Sequence, residues 1–596
     1  MTANDGRRAH LLPRMAAGAP WWLAAGLGVV AVVLGILLTT RPLSSLAVLA
    51  VYAGASCIAI GVAEFFADRI RFGKLLGLAW LVLGVVVLAG VGRSVALLPV
   101  VLAIALLVSG VLRIVRSAPV GTWDARVAGI LLGLAELALG ALVLWWPDVT
   151  LVMVAVVFGV RTAVLGVWIA ATALRQRFWP AAGEPGAPRQ RGRGAVSRAF
   201  RLALSVLLVL AAVAALGISG RLVPGTAADQ FYEPPSGWSM TPGTLLRSER
   251  AAEQTPGATT WRILYTTTDG DGTARPASGL VVIPDDGAAE HPVIAWAHGT
   301  TGYAQQCAPS LLDNGLAAGA LLVTDQVIAK GWALVATDYA GLGTAGPQPY
   351  LIGQGEARSV LDAVRAARQL SEAGDAAARA AGATLSDTTV VWGHSQGGHA
   401  ALWTGQVQPS YAPDVPLAGV AAMAPASDVV GLTQHLPAVT GGSVFGSYVI
   451  EAYRHTYPDL DVDAALRPGV ATLVREMSTR CLSEPGVLVS VLTALSLTRD
   501  PDIFAGDPTT GALGALLRDN VPTGPIDVPL LLAQGAADPL ITPDLQGSYV
   551  AMVKSRGQKV DYRTYEGLDH MGLVTPGSPM LPELFAWTTE RFAAKS

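Results

Sequence analysis

Val390-Val391-Trp392-Gly393-His394-Ser395-Gln396-Gly397-Gly398 decides the fold of the larger part of this chain. It is an apolar strand running into G-x-S-x-G and then into a helix. That context is a nucleophile elbow, in which a sharp strand-to-helix turn lifts a serine oxygen above a sheet. The flanking glycines let neighbouring backbones come close. Ser395 is therefore the candidate nucleophile. With 66 Gly among 596 residues, the motif alone arises readily by chance, so its reading depends on an acid and a histidine following it in that order.

The sequence has eight histidines, and four follow Ser395: His399, His435, His455 and His570. His399 rides on the elbow's own helix and reads as a packing residue, while His435 and His455 fall where no strand precedes them. His570 follows the strand-like run Lys559–Tyr565 and the loop Glu566–Asp569, where a terminal strand would deliver a catalytic base. The run Pro529–Gly535 is a buried strand ending in a small-residue turn at Asp538, the candidate acid. Asp569 is the rival, but a sequence neighbour in extended backbone points its side chain away from the same histidine. An acid on the Nδ1 side would fix the tautomer of His570 and stabilise its imidazolium. Val293–Ala297 is a further apolar strand, and its His298-Gly299-Thr300-Thr301-Gly302 turn resembles the loop after the third strand in lipases and esterases. An oxyanion hole would then use the backbone N–H of Gln396 and that of Thr300 or Thr301. His298 reads as a structural hydrogen-bonder in that turn.

Composition divides the chain near residue 220. Before it lie seven apolar runs long enough to span a bilayer: Trp21–Leu38, Leu46–Phe66, Leu75–Val91, Val95–Leu112, Val127–Trp146, Val149–Leu174 and Leu202–Ile218. Arg7-Arg8 is not read as a twin-arginine signal, because no cleavage-site pattern follows and six more spans do. Arginines crowd alternate connections. Arg7, Arg8 and Arg14 precede the first run; Arg69, Arg71 and Lys74, then Arg113, Arg116 and Arg126, then Arg175 to Arg201 mark every second connection. The other connections hold only Arg41, only Arg93, and none. The asymmetry places the N-terminus in the cytoplasm, and seven spans would put everything beyond residue 220 outside the cytoplasmic membrane.

The first six runs repeat. Gly35, Pro42, Gly54 and Gly61 recur at Gly140, Pro147, Gly159 and Gly166 with a constant offset of 105, and three helical hairpins are expected. Small residues at such positions let helices pack closely in lipid. Glu136 and Arg161 lie inside consecutive runs on either side of Pro147, at depths of about 16 and 21 Å from that turn, and are expected to form a structural ion pair rather than a proton path. With this glycine spacing and hydropathy, residues 20–176 resemble the HdeD-type acid-resistance membrane proteins, a resemblance that implies no known chemistry. The expected order is a cytoplasmic N-terminus (1–19), this six-helix domain (20–176), a Pro/Gly/Arg linker that touches anionic lipid (177–201), a seventh helix (202–219), and an outer domain (229–594).

The outer domain alternates strands and helices, as an α/β sheet does. Ile263–Thr267 and Ala277–Ile283 read as an opening hairpin, Trp332–Thr337 as a strand and Gln354–Ala373 as a helix. An insertion at about 427–523, with helices expected near Val444–Tyr453, Val462–Met477 and Val487–Leu497, reads as a cap over the serine. Asp338 and Tyr339, before a turn with Gly341 and Gly343, read as structural. No zinc spacing, phosphate loop or dinucleotide fingerprint is visible, so no metal, no cofactor and no nucleic-acid partner is expected.

Phe231-Tyr232-Glu233-Pro234-Pro235, Leu245–Glu249, Ala277-Ser278-Gly279, His298–Gly302 with Cys307-Ala308-Pro309-Ser310, Thr337–Gly343 and the elbow resemble the secretory lipase family in one order. The resemblance covers nearly all of 229–594. It implies an α/β-hydrolase fold with a helical cap, hydrolysis of lipid-like or smaller acyl esters, and Ser395, Asp538 and His570 as the triad. Seven spans in place of a removable signal depart from the family's secreted form. The alternative is a stress-resistance or envelope-assembly membrane protein with an accessory hydrolase or acyltransferase domain. The partners expected are an acyl ester or lipid substrate and the bilayer; oligomeric state is open. Cys57 lies in a span, so Cys307 and Cys481 are the pair free to bridge in an oxidising compartment. Both are then expected to resist alkylation until a reductant is added, which intact-mass analysis reads; alkylation of both without reductant would exclude the bridge.

Overall fold

The structure, a computed structural model, describes residues 20–65, 73–117, 122–178, 193–222, 227–370 and 384–594. Segment 1–19, the connection with Arg69 and Arg71, and linker residues 179–192 lie outside them. The chain forms two compact units, one of Met1–Arg221 with Arg467–Leu473 and Leu492–Pro501, the other of Leu222–Leu466, Val474–Val491 and Asp502–Ser596.

The first unit is a bundle of apolar helices: α1 (Trp21–Thr40), α2 (Pro42–Phe65), α3 (Gly73–Ala89), α4 (Val91–Ser117), α5 (Trp123–Trp145), α6 (Pro147–Phe178) and α7 (Arg193–Leu222). Among the described residues six of these are long and apolar enough to cross a membrane, not the seven expected. The exception is α3, whose 17 residues rise about 25 Å before Gly90 turns the chain into α4. The seventh helix starts nine residues earlier than expected, at Arg193. Large apolar side chains such as Val29, Val30 and Val33 on α1 and Val157, Val160 and Val164 on α6 face outward. A surface of that kind suits lipid, where Leu and Val carry no penalty for exposure.

The repeated glycines sit where helices touch, but the close pairs are not joined by the proline turns. α1 packs on α6, α2 on α3 and α4 on α5. A Cβ on Gly35 would stand 2.3 Å from the Ala163 backbone nitrogen, and one on Gly166 2.6 Å from the Gly28 carbonyl oxygen. The same approach recurs between Gly54 and Gly84, and between Gly110 and Gly133. This pairing corrects the expected ion pair. Because α5 packs on α4, Glu136 meets Arg113, with Oε1 2.7 Å from a guanidinium nitrogen, while Arg161 is exposed on α6.

The second unit is built on one nine-stranded sheet: β1 (Leu245–Arg250), β2 (Ala258–Thr268), β3 (Ala274–Pro284), β4 (Glu290–Ala297), β5 (Ala333–Ala340), β6 (Thr384–His394), β7 (Leu417–Met423), β8 (Leu530–Gly535) and β9 (Asp561–Tyr565). Their order is β1-β2-β3-β5-β4-β6-β7-β8-β9. The first four in that order pair antiparallel, and from β5 onward all pairs are parallel. β5, β7 and β8 are buried along their whole length, as expected of strands covered by helices on both faces. α8 (Gly353–Arg368) and α9 (Gln396–Tyr411) pack on one face, and Met580–Ala593 on the other, where Phe585 stacks on Trp332 and Phe592 meets it edge-on.

The insertion after β7 is helical, with Gly442–Thr456, Val470–Ser478, Val487–Ser496 and Gly511–Asp519 as its main helices beyond the short Val429–His435. The helix expected over Val462–Met477 does not form as one piece. Pro468 and Gly469 interrupt it, and Gly469 takes φ 86°. Cys307 and Cys481 are joined as a disulfide with Cα atoms 5.2 Å apart, so the loop after β4 is covalently tied to the insertion.

The glycine contacts make a direct prediction for the bundle. Gly35→Ala forces α1 and α6 apart and should cost about 1–3 kcal/mol, read as a lowered thermal midpoint in detergent, whereas Gly26→Ala, with nothing within 4 Å, should be silent. Equal midpoints for the two variants would contradict the packing.

Candidate active site

β6 ends at His394 and α9 begins at Gln396, leaving Ser395 alone in the turn at φ 59°, ψ −118°. Such a conformation costs a non-glycine residue about 1–3 kcal/mol and persists only when its surroundings enforce it. Three backbone hydrogen bonds do so. Ser395 N–H donates to Met423 O (3.0 Å), and the Ser395 carbonyl accepts from Ala426 N (3.0 Å) and His399 N (3.1 Å). The glycines are required by space. A Cβ on Gly393 would meet the Gly397 carbonyl at 2.0 Å, and one on Gly397 would meet the Ala297 carbonyl at 1.9 Å. The second contact brings the start of α9 against the turn that leaves β4.

The structure brings Ser395, His570 and Asp538 together from β6, the loop after β9 and the loop after β8. Ser395 Oγ lies 2.9 Å from His570 Nε2, and His570 Nδ1 lies 2.7 Å from Asp538 Oδ2. Asp538 is buried, its other oxygen accepting the backbone N–H groups of Leu540 and Ile541 (2.9 Å each) and Oδ2 accepting Gln534 Nε2 (3.2 Å). These donors hold the carboxylate aimed at His570. Asp569, the rival acid, instead closes a turn by accepting from Gly572 N at 2.7 Å. His435 and His455 bind backbone carbonyls of Pro539 and Glu451.

The turn after β4 lies beside the elbow, with Gly299 N–H on the Gly319 carbonyl. Thr300 Oγ1 is 3.0 Å from Tyr350 Oη, and Thr301 Oγ1 donates to Cys307 O at 2.8 Å, so both side chains are occupied in holding the loop. Gln396 is the first residue of α9, where helix geometry leaves its backbone N–H without an intrahelical acceptor. His298 is buried between the carbonyls of Gly299 and Asp338 and against Tyr339. Asp338 accepts from Ser278 Oγ, Ser310 Oγ and Ser310 N, a structural role.

One residue of the site is not singled out by sequence reasoning. Glu356, fully buried in the first turn of α8, accepts from Gln396 Nε2 (2.8 Å), Leu351 N (3.0 Å) and His399 Nδ1 (2.8 Å). It thereby fixes the side chain of the residue that follows Ser395. A signal was present, since Glu356 shares the stripe of Val360 and Val364, a place where a helix carries apolar residues. Among the described residues no cluster of His, Cys, Asp and Glu has the makings of a metal site.

With that geometry in place, the comparisons with known proteins are specific. Residues 315–596 match the secretory lipase family. Residues 26–74 and 131–184 match a short repeat of unknown function, the HdeD-type membrane repeat. A protein of Mycobacterium tuberculosis (strain CDC 1551 / Oshkosh) named "Probable inactive lipase MT1628" is 26% identical over 404 residues, 62% of this chain and 82% of its own length. Lipase A of Moesziomyces aphidis is 23% identical over 426 residues, 65% of this chain and 87% of its own. Among solved structures, Candida antarctica lipase A aligns over 57% of this chain and 81% of its own at 18% identity, with a TM-score of 0.48. The chain thus joins an HdeD-type helical bundle to a secretory-lipase-like α/β domain, and the match supports a carboxylic ester hydrolase.

Buried histidines give this domain a pH signature. Burial lowers His298 from 6.5 to about 4, and burial together with the nearby His570 lowers His394 to about 3. Both are neutral in the folded state, so their contribution is fully present above the unfolded value of 6.5 and is lost as pH falls through 6.5 toward 4 and 3. Asp338, raised by burial from 3.8 to about 6, acts the other way between those values, as do Asp269 and Asp362, which burial also raises, so the histidines show most clearly just below their unfolded value of 6.5. The thermal midpoint of this domain should therefore fall between about pH 7 and pH 5, and His394→Gln should flatten that slope; a midpoint independent of pH would contradict the assignment.

Proposed function

We propose that this chain is a membrane-held serine esterase or lipase that hydrolyses carboxylic esters of the lipid class through an acyl-enzyme, with its C-terminal domain outside the cytoplasmic membrane. The observation that carries the reading is the continuous relay from Ser395 Oγ to His570 to Asp538, at 2.9 and 2.7 Å, mounted on a strained elbow. A serine hydroxyl is a weak nucleophile until a neighbouring base takes its proton. In the proposed reaction Ser395 Oγ attacks the ester carbonyl carbon while its proton passes to His570 Nε2. Asp538 holds Nδ1–H and stabilises the imidazolium. The carbonyl oxygen gains charge and is met by the N–H of Gln396 and that of Thr300 or Thr301. Collapse breaks the bond to the alcohol oxygen, which leaves with the proton from Nε2. Water then repeats the sequence on the acyl-serine, and the acid departs.

Three observations support this reading beyond the relay: the match of residues 315–596 to secretory lipases, the apolar helices with an HdeD-type repeat, and the arginine-rich alternate connections. Counting α3 as a short span gives seven crossings and the outer location. One similar protein carries the name of an inactive lipase; in this chain all three residues of the relay are present and in register.

The test is ester hydrolysis by the full chain in proteoliposomes over a series of acyl lengths. Ser395→Ala should lower turnover by at least about 10³-fold, and Asp538→Asn by about 10⁴-fold with binding retained. Equal rates for wild type and Ser395→Ala would overturn the reading and favour the bundle as the functional part.

A further inference from the structure

The helix Val487–Ser496 is built inside out. Leu488 (57% exposed), Val491, Leu492 (65%) and Leu495 (44%) follow one another at i, i+3, i+4 and i+7 and form a single outward stripe. The inward face carries Ser490 (1%) and Thr493 (2%) together with Val489 and Ala494. A helix that lies against water shows the reverse arrangement, with its apolar stripe turned to the core. The inward polar groups are used. Ser490 Oγ accepts from Arg480 Nη1 (3.3 Å), and Thr493 Oγ1 donates to Asp148 Oδ2 (3.1 Å).

That second bond locates the helix. Leu492–Pro501 belongs to the helical unit, and Asp148 lies in the first turn of α6. A few residues on, Asp500 accepts from Ser44 N (3.1 Å) in the first turn of α2 and from Arg467 Nη1 (2.7 Å), and Arg467 Nη2 also reaches Ser44 Oγ (3.2 Å). Both α2 and α6 begin at a proline, after connections that hold only Arg41 or no arginine at all. Leu492 and Leu495 therefore lie within the helical unit, close to the first turns of α2 and α6 at the arginine-poor end of the apolar helices.

We infer that Val487–Ser496 is an interfacial helix whose Leu488, Val491, Leu492 and Leu495 face inserts into the bilayer leaflet at the arginine-poor, outer end of the bundle. Its occupant is the lipid leaflet itself. Two features select lipid: the bond from Thr493 that seats the helix beside the first turn of α6, whose own large apolar side chains face outward, and a stripe with no charged residue between Val487 and Thr498. Amphipathic helices that lie in the interface bury their apolar face about 5–10 Å below the headgroup boundary. The inference rests on the proposed membrane placement of the bundle and adds a second, shallow contact made by the insertion.

The experiment uses the full chain with Cys57→Ala, so that the disulfide-bonded Cys307 and Cys481 stay unreactive and one new cysteine takes an environment-sensitive fluorophore. Leu492→Cys and Leu488→Cys report on the stripe, Thr498→Cys on the exposed residue beyond it, and Val157→Cys on the outward face of α6. In proteoliposomes the Leu488 and Leu492 labels should emit blue-shifted and lose roughly half their intensity or more to lipids carrying a nitroxide near the headgroup, as their depth requires. Aqueous iodide should leave them bright and quench Thr498. The Val157 label should be quenched best by a nitroxide near the chain end. If Val157 escapes lipid quenching, the membrane placement fails and the inference with it. If Val157 is quenched while Leu492 is quenched by iodide alone, the stripe faces water and the inference fails by itself. If Leu492 is blue-shifted, escapes both quenchers and reddens as the protein is diluted in lipid, a second copy covers the stripe and the inference again fails.

Discussion

The backbone at Ser395 is held in a conformation that a free serine chain leaves at once, and the site exists because neighbouring segments forbid it to relax. Three of these meet there: β7 through Met423 O, the residues after β7 through Ala426 N, and the end of β4 through the space Gly397 vacates. The constraint is mutual. Gly393 and Gly397 are glycines because their neighbours stand where a Cβ would be, and those neighbours can stand there because no Cβ intrudes. The imidazole and carboxylate are then delivered by the loops after the two strands at the sheet's far edge, each in register with its neighbour. The meeting of Ser395, His570 and Asp538 thus depends on a parallel sheet assembled in one order.

Beneath the elbow a second layer of polar groups is closed to water. Glu356 accepts three hydrogen bonds, and His399, hydrogen-bonded to it, reaches the Asn520 carbonyl through its other nitrogen at 2.8 Å. A carboxylate buried without partners would be costly, whereas one with several donors is tolerated and rigid. The effect is to hold the first turn of α9, which begins directly after Ser395, in place.

The strand-turn-helix at Ser395, the acid at the end of β8 and the histidine after β9 were legible because each rests on local pattern and chain order. Pro529–Asp538 reads as a buried strand with a small-residue turn whatever surrounds it. The helical bundle was legible in the same way from hydropathy, and its glycines from their spacing. What the sequence withheld depends on which helix packs on which. Glu136 and Arg161 are adjacent in chain order, but α5 lies on α4, and the partner is Arg113. Nor does hydropathy see backbone breaks inside an apolar run: Pro468-Gly469 divides one expected helix, and Gly90 shortens another. Glu356 was overlooked because a buried carboxylate looks like a surface one until its three donors, two of them distant in sequence, are folded around it.

Asn520, the residue at which the insertion returns to the sheet, carries a further consequence. Its carbonyl accepts from His399 Nε2 and Trp403 Nε1 on α9, and its side-chain oxygen accepts Gly353 N at the start of α8. Cys481 fixes a second point of the same insertion to the loop after β4. The insertion is thus fixed to the sheet's own loops and helices at two points far apart in its sequence. Reduction of that disulfide would release the anchor at Cys481 and leave the one at Asn520 in place, so the two anchors of the insertion answer to different chemistry, one to redox state and the other to hydrogen bonding alone.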